Sequence, residues 1–98
     1  MIRILCLIAT EDRLWNMRRA FRSLQESHPG LLEGSCWSVW ELSSHPEKIP
    51  RMLEDAQSSD YAVVYFHGGA QVLPDFPMIW QCLTARQPVY YQSSLPDE

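Results

Sequence analysis

Two short stretches of this chain carry the residue types that a chemical site would need. The first is His67-Gly68-Gly69, which follows the apolar run Tyr61 to Phe66. An imidazole there is a candidate metal ligand or acid–base group, because its pKa lies near neutrality. A double glycine lets a ligand approach the backbone closely, since no Cβ stands in the way. The second stretch is Thr10-Glu11-Asp12, which follows the apolar run Ile2 to Ile8. Its two carboxylates are candidate oxygen ligands for a divalent cation. Each feature also has a plainer explanation. No second histidine stands at ligand spacing from His67, so it also reads as a strand-end side chain bonded to a neighbouring loop. The glycines also read as a turn that needs positive φ, and Glu11 and Asp12 as first-turn charges that favour the helix dipole.

A third set is Arg13, Arg18, Arg19 and Arg22. On a helix they form a basic patch suited to the carboxylates of an anionic ligand or to the acidic surface of a partner. They also describe, more simply, a solvated face paired with Glu11 and Glu26 at helical spacing. Trp15, Trp37, Trp40 and Trp80 are many tryptophans for 98 residues. Some read as interface residues, and a small sheet also needs large side chains for its core.

The elements that must position these groups follow from the apolar pattern. Four apolar runs alternate with three helical patterns. Ile2 to Ile8 and Tyr61 to Phe66 are almost unbroken, which suits central parallel strands covered on both faces. "CWSVWEL", Cys36 to Leu42, is more mixed, as expected for a strand nearer a sheet edge, and Pro88 to Gln92 supplies the fourth run. Thr10 is placed to cap the first helix, whose stripe is Leu14, Met17, Phe21 and Leu24, and His28-Pro29-Gly30 stops it. Ser44 to Glu47 has the form of a capping box, yet Pro50 is awkward inside a helix that starts so early. The second helix therefore begins at Pro50, or a short turn precedes a kink. Its buried face is Met52, Leu53 and Ala56, and Ser58-Ser59-Asp60 ends it. Asp75 can cap the third helix, with Pro77 in its first turn and Ile79, Cys82 and Leu83 facing inward. "SSLPDE" reads as a polar tail or linker over residues 93–98.

The order β-α-β-α-β-α-β predicts an α/β, flavodoxin-like three-layer sandwich: a parallel sheet of about four strands in the order 2-1-3-4. Ligands of such sheets bind beyond the carboxyl ends of the strands, where the order reverses. That switch point lies between strands 1 and 3. Thr10, Glu11 and Asp12 should therefore meet His67, Gly68 and Gly69 at one crevice, the candidate ligand-binding site.

The usual occupants of that crevice have no signature here. A dinucleotide fold needs G-x-G-x-x-G after strand 1, but this chain has A-T-E-D-R-L, whose carboxylates would repel a phosphate. The P-loop, a hydroxyl- and glycine-rich flavin phosphate loop and the nucleophile elbow G-x-S-x-G are absent. A phospho-receiver would need an aspartate where His67 stands and a lysine after a fifth strand, while the one lysine is Lys48. No catalytic or metal-binding set is assigned on the residues themselves.

Bulk properties narrow the class further. A chain of 98 residues holds one core and one domain. Its net charge of −4 argues against a general nucleic-acid binder and against docking on anionic membranes. Cys6, Cys36 and Cys82 are widely spaced and odd in number, which reads as three reduced thiols in a cytoplasmic protein. Cys6 and Cys82 fall in apolar runs and read as core residues. No stretch is long and apolar enough to span a membrane.

Read together, "MIRILCLIATEDRLWNMRRAFRSL", "SSDYAVVYFHGGAQVLPDF" and "RQPVYYQSS" resemble the extreme N-terminus of the cobaltochelatase large-subunit family, related to the magnesium-chelatase H subunit. Members of that family start with an "MIRI"-like strand. They carry an "aDvvlvrlhGG"-like strand and loop, then a strand of the form "g-i-P-v" and a serine. The matching positions are Ile2 to Ile8, Asp60 to Gly69 and Pro88 to Ser94. Tyr61 departs from the family, which has a small residue there, and family members are many times longer.

The resemblance implies that residues 1–98 are the N-terminal module of a longer chain, and the tail without a fifth strand fits a cut. The implied activity of the whole assembly is insertion of cobalt or magnesium into a corrinoid or porphyrin-type tetrapyrrole, as in cobalamin biosynthesis. ATP would be used through AAA+ ATPase partner subunits. Within this segment the implied role is structural: closing over the macrocycle, or packing against later domains of the same chain, with no cofactor of its own. His67-Gly68-Gly69 is carried over as a motif position without an assigned role. The alternative is a stand-alone flavodoxin-like domain that binds a ligand or another protein without catalysis.

Overall fold

The computed structural model describes residues 2–66 and 73–93. Within them β1 (Ile2–Ile8), β2 (Leu32–Ser38), β3 (Tyr61–Phe66) and β4 (Val89–Ser93) form one parallel sheet in the order β2-β1-β3-β4. The helices are α1 (Glu11–Ser27), α2 (Val39–Ser44), α3 (Ile49–Gln57) and α4 (Phe76–Thr84), with a 3-10 turn at Pro46–Lys48. This is the flavodoxin-like α/β arrangement predicted from the alternation of apolar runs, with the strand order predicted.

Strand alternation divides the core into two layers. Leu5, Leu7 and Ala9 of the first strand and its exit, with Ala62, Val64 and Phe66 of β3, face one side. There they meet Val39 and Leu42 of α2, Ile49, Met52 and Ala56 of α3, and Phe76, Ile79 and Leu83 of α4. Cys6, Ile8 and Tyr65 face the other side, against Leu14 and Phe21 of α1. Leu5, Leu7, Val64 and Phe66 have no exposed surface, and burying each side chain of this size contributes about 1.5–3 kcal/mol. Three helices thus cover one face, and α1 covers the other over β1 and β2.

The second strand differs from its expected span. It runs Leu32–Ser38, and the residues after Ser38 are helical. The cause is local. Ser38 Oγ accepts a hydrogen bond from Glu41 N at 3.2 Å, capping α2, while Val39 and Leu42, three residues apart, both bury on the core side. Trp40 is left exposed. The early half, Leu32–Ser35, carries a glycine and polar residues and looks weak alone; it is held by its register against Ile2–Leu5 of β1.

Ser44 and Glu47 do not form a capping box. Ser44 ends α2, and the 3-10 turn leads into α3, whose first turn contains Pro50. A proline there lacks only an N–H that has no helical partner. Cys82 is exposed rather than inward, with its Sγ 3.8 Å from Met78 Sδ one turn earlier. Ile79 and Leu83 fill the core from α4. Asp75 occupies the N-cap position of α4 without making a side-chain cap bond. On α1 the predicted stripe is buried at Leu14 and Phe21, half-buried at Met17 and exposed at Leu24.

Candidate functional site

At the carboxyl end of the sheet, Ile8 pairs with Tyr65 and Ala9 N donates to the Tyr65 carbonyl at 2.9 Å. The segment Thr10-Glu11-Asp12 therefore leaves the sheet beside the end of β3, as the predicted switch point requires. His67, Gly68 and Gly69 lie outside the described residues, so the crevice is described from its β1 side. Thr10 takes the N-cap position of α1 with extended backbone, φ −106° and ψ 141°, but its hydroxyl makes no cap bond. Its Oγ1 is buried and finds no partner among the described residues. Glu11 and Asp12 are exposed in the first turn of α1, where the helix dipole favours them. Among the described residues, no three His, Cys, Asp or Glu side chains gather as a metal ion would require.

A concavity lies on the α1 face of the sheet. α1 sits over β1 and β2, so the β3–β4 half of that face has no helix on it among the described residues. The result is a groove of about 420 Å3. Its floor is Val63 and Tyr65 of β3 with Tyr90 and Gln92 of β4, and its wall is the flank of α1 that includes Arg13 and Met17. The Arg13 guanidinium lies over the Tyr65 ring, 4.4 Å from its centroid. Tyr90 is 52% exposed. On the opposite face, Tyr91 of β4 joins Phe76 and Trp80 in an aromatic cluster with centroids 5.8–6.3 Å apart.

No family model, curated protein or solved structure matches this chain. Among the described residues no helix is long and apolar enough to cross a membrane.

The half-open face was not foreseen from the sequence, where Val63 and Tyr65 read as residues of a strand covered on both sides. The signal was present in the topology. The crossover from β1 to β2 runs one way along the sheet, while those from β2 to β3 and from β3 to β4 run the other. Right-handed crossovers then put one helix on one face and the rest on the other. A single helix cannot cover four strands.

The thiols hold a second unforeseen relationship. Cys6 and Cys36 are register partners across β1 and β2. The hydrogen bond from Cys6 holds the Cys36 thiol below the usual range, and the charge of Arg18 acts the same way against the cost of burial. That same bond, with burial and the neighbouring negative charge, pushes Cys6 far up. Cys36 thus has the more ionisable sulfur of the pair.

Proposed function

We propose that this chain is a non-catalytic module of a cobaltochelatase-type large subunit, which packs the open β3–β4 half of its sheet against a helix from the rest of that subunit. The observation that carries the packing role is the groove itself. An apolar sheet face of this size is normally covered in a doubly wound fold, and Tyr90 and Val63 supply aromatic and aliphatic surface to whatever covers it. The three stretches that resemble the chelatase family support the same reading. They fall on β1, β3 and β4, and every strand residue lining the groove, from Ile8 to Gln92, lies within one of them.

In the whole assembly, metal, tetrapyrrole and ATP would be handled by other parts of the chain and by AAA+ ATPase partners. The test is hydroxyl-radical footprinting of Tyr90 and Met17, comparing the 98-residue chain with the native polypeptide that contains it. Covered groove residues would be labelled in the short chain and protected in the long one. Equal labelling in both would remove the packing role.

A second reading, a stand-alone domain that binds a ligand at the switch point, is favoured by one observation: the buried Thr10 Oγ1 beside the carboxyl end of β3, which has no partner among the described residues. Calorimetric titration with a cobalt corrinoid separates the two. Heat that disappears in Thr10→Val and His67→Ala supports a switch-point site; no heat supports the packing role.

A further inference from the structure

The flank of α1 on the β2 side carries a feature that the groove does not use. Trp15, Arg18, Arg19 and Arg22 recur at helical spacing and share one stripe about 10 Å long. Trp15 is 58% exposed, and the Arg19 guanidinium lies over its ring at 4.7 Å. Together the four side chains line a shallow surface groove of about 440 Å3. The ion pairs among the described residues are His45–Glu47 and Lys48–Glu41, so neither Glu11 nor Glu26 is in contact with an arginine of the stripe. Arg18 donates to the Cys36 carbonyl at 3.4 Å, and its charge also acts on Glu41 of α2.

Charge and chemistry select the occupant. Half of the eight basic residues stand on α1, while the chain as a whole is acidic at −4. That balance opposes a long polyanion such as a nucleic acid, which needs an extended basic surface. It permits a short acidic segment that touches the stripe alone. Tryptophan and arginine are the residue types that carry most binding energy at protein interfaces. A guanidinium stacked on an indole also keeps its N–H fork free for a carboxylate. A stripe two turns long exceeds one small anion and matches carboxylates repeated along a helix. We infer that the Trp15–Arg18–Arg19–Arg22 stripe docks an acidic helical segment of a partner protein, with carboxylates on the guanidiniums and an apolar side chain on the Trp15 indole. This docking does not depend on the chelatase reading, since it uses the face of α1 turned away from the β3–β4 groove.

The probe is a synthetic helical peptide with glutamates one turn apart and a central leucine, titrated into the 98-residue chain and followed by heteronuclear NMR. The Trp15 indole N–H and the arginine side-chain signals shift, and affinity falls about tenfold from low to high salt as exposed charges are screened. The signals stay still with the glutamine version of the peptide and with the double variant Arg18→Glu, Arg22→Glu, whose circular dichroism matches that of the unaltered chain. Absence of shifts with the glutamate peptide, equal binding of the glutamine peptide, or equal or tighter binding of a single-stranded oligonucleotide would each overturn the inference. If the double variant does not fold, Trp15→Ala serves in its place and must weaken the glutamate peptide at least about fivefold, as an interface anchor would.

Discussion

Gly34 of β2 lies under the ring of Phe21 of α1, and the ring fills the space that a Cβ at position 34 would take. This close approach lets α1 settle on β2 without a side chain between them. Gly34→Ala should therefore lower stability by about 1–3 kcal/mol, the cost of overpacking a fitted contact. In a Phe21→Ala background the same change should cost little, because its partner is gone. Thermal melts of the four proteins check this; an equal loss in both backgrounds would show that the contact is not the cause.

The Cys6–Cys36 pair predicts an order of reactivity. Because its neighbour Cys6 and the charge of Arg18 hold Cys36 below its ordinary value, its alkylation midpoint should lie below that of an unperturbed thiol. Cys6, fully buried and shifted the other way, should not react in the folded protein. Cys6→Ala removes the donor and should move the Cys36 midpoint up. Iodoacetamide rates measured by mass spectrometry across pH follow both sites. A Cys36 midpoint unchanged by Cys6→Ala would assign its acidity to Arg18 instead.

Thr10 predicts a gain in stability. The Thr10 hydroxyl has no partner among the described residues, and a buried hydroxyl left so costs more than the methyl that would replace it. Thr10→Val keeps the shape and should raise stability by about 1 kcal/mol. Chemical denaturation reads the change. A clear loss would mean that the hydroxyl is bonded in solution, and the switch-point reading would lose its supporting atom.

The sheet was legible because Ile2–Ile8 and Tyr61–Phe66 are so apolar that only buried parallel strands suit them, and handedness then sets the order. β2 was half legible. Trp37 and Val39 look like one strand, and only the cap from Ser38 to Glu41 shows where strand becomes helix. Cys82 misled because Met78, Ile79, Trp80, Cys82 and Leu83 are all apolar, so spacing alone could not say which of them turn to the sheet. Of the candidate crevice, only the β1 side is described: Thr10 leaves the sheet beside the end of β3, while His67, Gly68 and Gly69 lie outside the described residues. The groove floored by Val63 and Tyr90 was not legible, because among the described residues that half of the face has no helix over it, and each strand's own sequence is silent on which helix covers it. The expected pairing of the α1 arginines with Glu11 and Glu26 failed for a similar reason. Helical spacing permits such pairs, but exposed pairs of this kind are worth only a few tenths of a kcal/mol, too little to hold long side chains together.

The reading of this chain as a packing module of a larger subunit is tested most directly by the mass of the native polypeptide, detected in its source cell with an antibody to residues of α1. A band far above 11.4 kDa is the predicted result, with the β3–β4 groove taken up inside that longer chain. A band near 11.4 kDa would contradict the module reading, and the crevice beside Thr10 would become the place to look for what this protein binds.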